Sequence, residues 1–425
     1  MVSFFDLFAM LLLLIAAFGW LNQMFLHLPS NIGLLLMGVI AALLVLVIDL
    51  LLPGTTVLDD LASILRKIDF YDAVMHGMLA FLLFAGALHV NWPRLRRRLV
   101  PVTTMATVGV VISTLVVGFG LWGLGIALDV RLPLPWALVF GALISPTDPV
   151  AVLSLLKQVR IPELLETEIS GEALFNDGVG VVLFTMLVAV ATASGGTQSL
   201  LGAIGLFLLE AVGGALVGLA TGYIAFRAMR SIDEYVVEVC ISLALVMVTY
   251  ALADRLHMSG PIAVVVAGLL IGTRGPGDAM SETTQRYVFG FWSLVDELLN
   301  SVLFLLIGLE LIVVGVNLRF GWLALAAIPL VLLARAVSVA LPVLVLRKFV
   351  RFIRGSIPVL IWGGVRGGIS VALALSLPYG EERSIILTVT YAVVLFTIVV
   401  QGLTMKRVIR RTVPSSRDAP EQPAQ

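Results

Sequence analysis

Acidic side chains interrupt an apolar run near the middle of the chain, at Glu172 and Asp177 within ISGEALFNDGVGVVLFTMLVAV. On a helix, Glu172 and Asn176 are four residues apart and share a face, while Asp177 lies about 100° further round. A carboxylate among apolar residues is costly unless it is paired, hydrated or liganded. Glu172 is therefore placed to face an arginine, and Asp177 to bind either one proton or one small cation.

A second polar site is ISPTDPVAV, where Pro146 and Pro149 flank Thr147 and Asp148. Two prolines this close remove backbone donors and clash with the preceding turn, so a continuous helix is not expected. Asp148 followed by Pro149 is typical of an N-cap and the first residue of a new helix. The break exposes carbonyl oxygens which, with the oxygens of Thr147 and Asp148, suit a small hard cation.

A third segment, WGGVRGGIS, has glycines on both sides of Arg366. These glycines permit either unwinding or close helix packing, and packing alone explains them equally well. In an unwound segment, Arg366 is placed to neutralise the end of a broken helix.

The segments that carry these residues are predicted membrane helices. Of the 425 residues, 60% are hydrophobic and only 13% are charged, and the apolar runs are about 20 residues long. This pattern predicts an all-α polytopic membrane protein rather than a barrel, whose strands are shorter and alternate in polarity. The net charge of zero indicates no nucleic-acid binding, and no long polar segment suggests a nucleotide domain.

About thirteen spans are predicted, and the basic residues orient them. With the N-terminus outside and the C-terminus in the cytoplasm, 19 of the 27 basic residues fall in cytoplasmic segments and 6 in the opposite loops. The polar segment 410–425 is predicted to be a short disordered cytoplasmic tail. The spans are 7–26, 32–51, 73–90, 100–128, 133–157, 162–193, 200–226, 236–253, 260–273, 288–314, 320–346, 357–377 and 384–409.

The order of the spans predicts an inverted repeat. Six spans, a connecting seventh and six more start the second half on the opposite face from the first. The interrupted spans 133–157 and 357–377 then take matching places. An unwound backbone is tolerated in a membrane only where it is buried in protein or lines a watery cavity, so the two breaks predict a cavity.

The predicted intramembrane charges leave one negative charge for a ligand. Three acids and two arginines sum to −1, which matches one monovalent cation or one proton. They are Asp148, Glu172, Asp177, Arg335 and Arg366. Glu210, within the span 200–226, would make the sum −2 if it shared the cavity, and it is assigned to the connecting helix.

These motifs resemble the bacterial sodium/proton antiporters of the NhaP type, in the monovalent cation:proton antiporter superfamily that includes animal sodium/hydrogen exchangers. The likeness covers nearly the whole membrane part. Its most specific segments are SPTDPVAV, GEALFNDGVGVV, SGPIAVVVAGLLIG, FLLIGLEL, ARAVSV, WGGVRGGISVALALSLP and VVQGLTMK.

The resemblance implies an NhaA-like antiporter fold in a homodimer. Residues 1–409 form the membrane domain, in which two unwound helices cross. A core comprises about 100–193 and 320–409, and a dimerisation scaffold comprises about 1–99 and 200–319. It also implies electroneutral one-for-one exchange by elevator-like alternating access in the bacterial inner membrane.

The resemblance also assigns roles to residues. Asp177 matches the cation and proton ligand, and Thr147 a backbone ligand. Asp148 and Asn176 match the residues that steady the broken helix and the site water. Glu172 matches an acid paired with an arginine, here Arg335, with Arg366 left as the other candidate partner.

The predicted function is thus secondary active exchange of Na⁺, or of Li⁺ or K⁺, for protons, without enzymatic activity or a cofactor. The expected partners are these ions, membrane lipid and a second copy of the chain. The alternative is an ion-coupled symporter of a small organic anion, which predicts a larger polar cavity and no Arg–Glu pair. An intramembrane hydrolase is disfavoured because Tyr71-Asp72 lacks a Gly-x-Gly-Asp partner motif, and a channel because no filter segment repeats.

Overall fold

The computed structural model describes residues 4–52, 61–63, 70–148, 162–192, 200–314, 318–350, 352–353 and 355–412, and the regular structure within these ranges is helical. The principal helices are α1 (Phe5–Leu26), α2 (Ser30–Leu51), α3 (Phe70–Leu88), α4 (Trp92–Ala127), α5 (Leu134–Ile144), α6 (Glu163–Thr192), α7 (Leu200–Met229), α8 (Tyr235–Arg255), α9 (Gly260–Ala279), α10 (Glu282–Leu309), α11 (Gly321–Leu346), α12 (Ser356–Trp362), α13 (Gly368–Leu375) and α14 (Glu381–Thr412).

The predicted all-α polytopic membrane protein is confirmed, because ten helices in the described ranges are long and apolar enough to cross a membrane. Each of the thirteen predicted spans overlaps a helix. Three predicted spans do not correspond to any of these ten helices. One is α10, which carries several charged residues, and the other two are the interrupted spans, which the structure shows as α5 and as α12 with α13. The number thirteen therefore stays a prediction.

Helix α4 corrects one predicted boundary. The sequence predicts a span from 100 to 128 after an arginine-rich loop, but α4 begins at Trp92 and continues for 36 residues. The Asn91 side chain caps its start by accepting a hydrogen bond from the Arg94 backbone N–H at 3.2 Å, and Pro93 fits the first turn. Arg98 consequently lies on a membrane helix, where its side chain is buried.

Two spans are interrupted where the sequence predicts breaks. α5 ends two residues before Pro146, and α12 and α13 are separated by the non-helical segment 363–367. The two breaks cross, because the Asp148 N–H donates a hydrogen bond to the Val365 carbonyl at 2.8 Å. The second half of the first interrupted span, from the predicted helix start at Pro149, lies outside the described residues.

Small residues bring several helices into close contact. A Cβ added at Gly308 of α10 would lie 2.9 Å from the Gly38 Cα of α2, and one at Gly222 of α7 would lie 3.2 Å from the Ala267 Cα of α9. Such contacts let helix backbones approach without a strong hydrophobic driving force. All four helices belong to the predicted scaffold, and the division into scaffold and core stays a prediction.

Candidate cation site

Asp177 lies near the middle of α6 with its side chain 8% exposed. Its carboxylate forms part of the wall of a cavity of about 1220 Å³. Within the ranges that the structure describes, no side chain or backbone group is hydrogen-bonded to it or ion-paired with it. A buried acid that touches a cavity but has no protein partner is available to a ligand.

Asn176 holds the first break beside Asp177. Its Nδ2 donates to the Thr147 Oγ1 at 2.8 Å, and its Oδ1 accepts the Thr147 backbone N–H at 3.4 Å. Both side chains are buried. Because one amide satisfies two groups of the unwound backbone, α6 fixes the position of Thr147 relative to the Asp177 carboxylate.

Asp148 also lines the cavity, at the point where the two breaks meet. Gly367 approaches its side chain from across the crossing, because a Cβ added at Gly367 would lie 2.8 Å from the Asp148 Cγ. Only a glycine allows so close an approach, so Gly367 permits the crossing of the two breaks itself and not only close helix packing.

Arg366 occupies the second break and is completely buried. Its Nη1 donates to the carbonyls of Ser145 and Pro146, which follow the last turn of α5. Its own backbone N–H donates to the Thr397 Oγ1 at 3.1 Å. The guanidinium therefore lies at the negative end of the α5 half-helix and satisfies carbonyls that the break leaves without helical partners.

Glu172 forms an ion pair with Arg335 of α11, and both side chains are buried. The contact is bidentate: the Arg335 Nη1 donates to one carboxylate oxygen and its Nη2 to the other. The same guanidinium donates to the Leu360 carbonyl at 3.0 Å from Nη2 and 3.2 Å from Nε. Of the two candidate arginines, the one in contact with Glu172 is Arg335.

A second buried pair, Glu168 with Arg98, was missed by the sequence analysis. The Arg98 Nη1 lies 3.3 Å from the Glu168 Oε1, and the Glu168 side chain is fully buried. Glu168 is one helical turn before Glu172, so α6 presents Glu168, Glu172 and Asn176 along one face. The four-residue spacing from Glu172 indicated that Glu168 shares its helix face. Glu168 was nevertheless missed because it lies close to residue 162, where the predicted span begins.

Including this pair leaves the predicted charge balance unchanged. Together with the five predicted charges, this pair gives four acids and three arginines, which still sum to −1, and Asp296 of α10 lines the cavity outside this set. The seven residues are Asp148, Glu168, Glu172, Asp177, Arg98, Arg335 and Arg366.

The cavity connects Asp177 with one face of the molecule. Asp148, Asp177 and Asn300 lie among its inner lining residues, whereas His27, Arg94 and Glu163 line its outer part. Arg94 and Glu163 form a pair with an N–O distance of 2.6 Å, and their side chains are 42% and 68% exposed. The positive-inside pattern predicts that this face is cytoplasmic.

Comparison with known proteins agrees with this architecture. The transmembrane sodium/hydrogen exchanger family model matches residues 9–411. The Na(+)/H(+) antiporter NhaP of Pseudomonas aeruginosa is 45% identical over 421 residues, which cover 96% of each chain. The Na(+)/H(+) antiporter NhaH of Halobacillus dabanensis is 35% identical over 97% of this chain and 99% of its own.

A solved structure matches in fold. The sodium proton antiporter MjNhaP1 from Methanocaldococcus jannaschii superposes with a TM-score of 0.72 and 20% identity, over 96% of this chain and 98% of that one. This match confirms the predicted antiporter fold. From the family match and the identity to these relatives, the chain belongs to the transmembrane sodium/hydrogen exchanger family.

Proposed function

We propose that the chain is a secondary active transporter that exchanges Na⁺ for H⁺ across the membrane, with Asp177 binding the two ions in turn. The observation that carries the proposal is the position of this carboxylate. It lies at the centre of α6 and in the wall of the cavity, with no ion-pair partner among the described residues. Its relatives NhaP and NhaH, named as Na(+)/H(+) antiporters, support the same ions.

The surrounding residues supply the rest of the cation site. Thr147 and Asp148 bring oxygens from the break, which suit a small monovalent cation such as Na⁺, with Li⁺ and K⁺ as further candidates. Asn176 positions Thr147 through their two hydrogen bonds. No cofactor takes part, because the free energy comes from the gradient of the second ion.

The charge balance supports electroneutral exchange. The five charges predicted near the breaks and the Glu168–Arg98 pair sum to −1, so one Na⁺ or one proton makes this set neutral and binding both makes it positive. Because a net charge in the membrane interior is costly, the neutral loaded form is the one that crosses. One cation then moves for each proton, with no net charge transfer.

The cavity lining supports an elevator-like movement. Asp177 and Gly367 line it from the predicted core, whereas Ser293 and Asn300 line it from the predicted scaffold. A core that slides along the scaffold would close this cavity and open one to the other side. We propose a homodimer formed through the scaffold in the bacterial inner membrane, with the present cavity facing the cytoplasm.

An organic anion is the less favoured substrate. The inner cavity wall carries Asp148 and Asp177, while Arg335 is committed to Glu172 and Leu360. An anion would therefore meet two carboxylates, and among the described residues no arginine lines the cavity at this depth.

The test uses purified protein in liposomes that contain a pH-sensitive dye. Na⁺, Li⁺ or K⁺ gradients are imposed in turn, and in the Na⁺ and Li⁺ experiments valinomycin with balanced K⁺ clamps the voltage. We expect proton movement that follows the Na⁺ gradient, is insensitive to the clamp and disappears in Asp177→Asn.

The matched control is Asp278→Asn, which makes the same change at an exposed position outside the cavity lining. It should exchange at the wild-type rate. Wild-type exchange by Asp177→Asn would remove the site assignment, and an exchange rate that changes when the voltage is clamped would remove electroneutrality.

A further inference from the structure

A fully buried acid lies outside the transport cavity, at Glu238 in the first turns of α8. Its side chain is 0% exposed, and neither carboxylate oxygen has a hydrogen-bond partner among the described residues. None of the ion pairs in the described ranges includes it. An acid in this environment requires a proton or a cation, because an uncompensated buried charge is costly.

Helix geometry shows which way Glu238 points. Ser242 is one turn further along α8 on the same face, and its Oγ accepts a hydrogen bond from the Trp292 Nε1 of α10 at 2.9 Å. Trp292 and Thr284 share a face of α10, since eight residues separate them. Glu238 is therefore directed into the α8–α10 interface, on the side of Thr284.

Three oxygen-bearing side chains contact one another where the segment before α8 meets the start of α10, on the side towards which Glu238 points. The Asp233 Oδ1 accepts hydrogen bonds from the Ser281 Oγ at 2.7 Å and from the Thr284 Oγ1 at 3.3 Å. Asp233 and Thr284 lie near the Glu238 carboxylate, and the like charge of Asp233 disfavours an ionised Glu238 in the absence of a cation. Ser281 caps α10 by accepting a hydrogen bond from the Thr284 N–H. This cap accounts for the contacts of the two hydroxyl groups, but it does not account for the burial of the Glu238 carboxylate.

We propose that Asp233, Glu238, Ser281 and Thr284 form a binding site for a hard divalent cation, Mg²⁺ or Ca²⁺, separate from the transport site. Two carboxylates balance the charge of such an ion, and carboxylate and hydroxyl oxygens are hard ligands. Asp233 is exposed, so water can complete the coordination shell and the ion can enter from solution.

The site lies on the face at which the transport cavity opens. Ser293 of α10 contacts His89 there at 2.9 Å, and both line the cavity. Thr284 is nine residues nearer the start of the same helix, which places it about 14 Å further towards that face. A bound ion would join the starts of α8 and α10, and α10 continues inward as a cavity wall.

The proposal is tested by ion binding, so its outcome is separate from that of the exchange assay. Full-length protein in detergent is stripped with EDTA and titrated with CaCl₂ or MgCl₂ in separate calorimetric experiments at constant ionic strength. Wild-type and Asp177→Asn protein should each bind one ion per chain. Loss of binding in Asp177→Asn would assign the ion to the transport site and overturn the proposal.

Substitutions at the site locate the ion. Glu238→Gln and Asp233→Asn should each weaken binding by about tenfold or more, because each removes one charged ligand. Glu234→Gln, which makes the same change at an exposed neighbour, should bind as the wild type does. If Glu238→Gln does not fold, Ser281→Ala removes a hydroxyl ligand without changing the charge and should weaken binding severalfold.

Thermal unfolding gives a second readout. The ion that binds should raise the unfolding temperature of the wild type and Glu234→Gln, but not that of Glu238→Gln or Asp233→Asn. Wild-type protein that binds neither ion would show that Glu238 holds only a proton. That result, or unchanged affinity in the Asp233 and Ser281 variants, would overturn the proposal.

Discussion

The side-chain amide of Asn176 makes two hydrogen bonds to Thr147, one to its hydroxyl at 2.8 Å and one to its backbone N–H at 3.4 Å. This pairing joins the middle of α6 to the unwound end of α5. It fixes the distance between the Asp177 carboxylate and the oxygens of the break, because Asn176 and Asp177 are adjacent.

Removing the amide should impair transport more than it impairs folding. Asn176→Ala leaves two buried groups of Thr147 without a partner, at a cost of about 1–3 kcal/mol. We expect the initial rate of Na⁺-driven proton movement in liposomes to fall by roughly tenfold or more. Thr147→Ser keeps the hydroxyl and should remain close to wild type, and a normal rate for Asn176→Ala would contradict the positioning role.

The buried pair of Glu172 and Arg335 should be necessary for stability. Glu172→Gln or Arg335→Gln alone leaves one buried charge unpaired, and such changes cost about 3–5 kcal/mol. Each single variant should lower the yield of folded protein and its unfolding temperature in detergent. The double variant should lose less than the sum of the singles, since it leaves no uncompensated charge. Strict additivity would show that the two side chains do not stabilise each other.

Of the two ion pairs between α4 and α6, the one with the longer N–O distance should contribute more to stability. The Arg94 guanidinium is 2.6 Å from the Glu163 carboxylate, but water reaches both side chains, so Arg94→Gln should change the free energy of unfolding by about 1 kcal/mol or less. Arg98 is 3.3 Å from the buried Glu168, so Arg98→Gln should cost roughly 3 kcal/mol or more. Thermal unfolding of the two variants tests this order, and a larger loss for Arg94→Gln would contradict it.

Gly367 should not tolerate a side chain. A Cβ there would lie 2.6 Å from the Asp148 Cβ, and this contact would push the two breaks apart. Gly367→Ala is therefore expected to reduce exchange at least about tenfold, because a shift of about 1 Å at a binding site is enough for such a loss.

Gly123→Ala is the matched control, since an added Cβ at that position of α4 has no atom within 4 Å. Both variants are compared for exchange rate and for the amount of folded protein. Equal rates for the two would show that the crossing has room that the structure does not indicate.

Much of the fold was predictable because membrane helices are encoded locally. Pro146 and the glycines beside Arg366 predicted where the helices break, since both residue types act on their own backbone. The start of α4 was predicted too late because the arginines at 94–98 lowered the local hydropathy. Asn91 and Pro93 carried the correct signal as a cap and a first-turn proline.

The partners within the site were harder to predict. Glu172 could face Arg335 or Arg366 as far as the spacing shows, and only the packing of α11 against α12 decides which guanidinium reaches it. Glu168 and Glu238 were missed for a related reason. Both lie near the ends of their helices, where a sequence predicts contact with water, but neighbouring helices cover them.

Arg366 donates to the carbonyls of Ser145 and Pro146 at the end of the α5 half-helix. The protein thus carries a permanent positive group where a broken helix would otherwise need an external ion to remain folded. The crossing of the two breaks therefore does not depend on a bound ion for its structure. The transported ion can leave in every cycle while Arg366 continues to hold the end of α5.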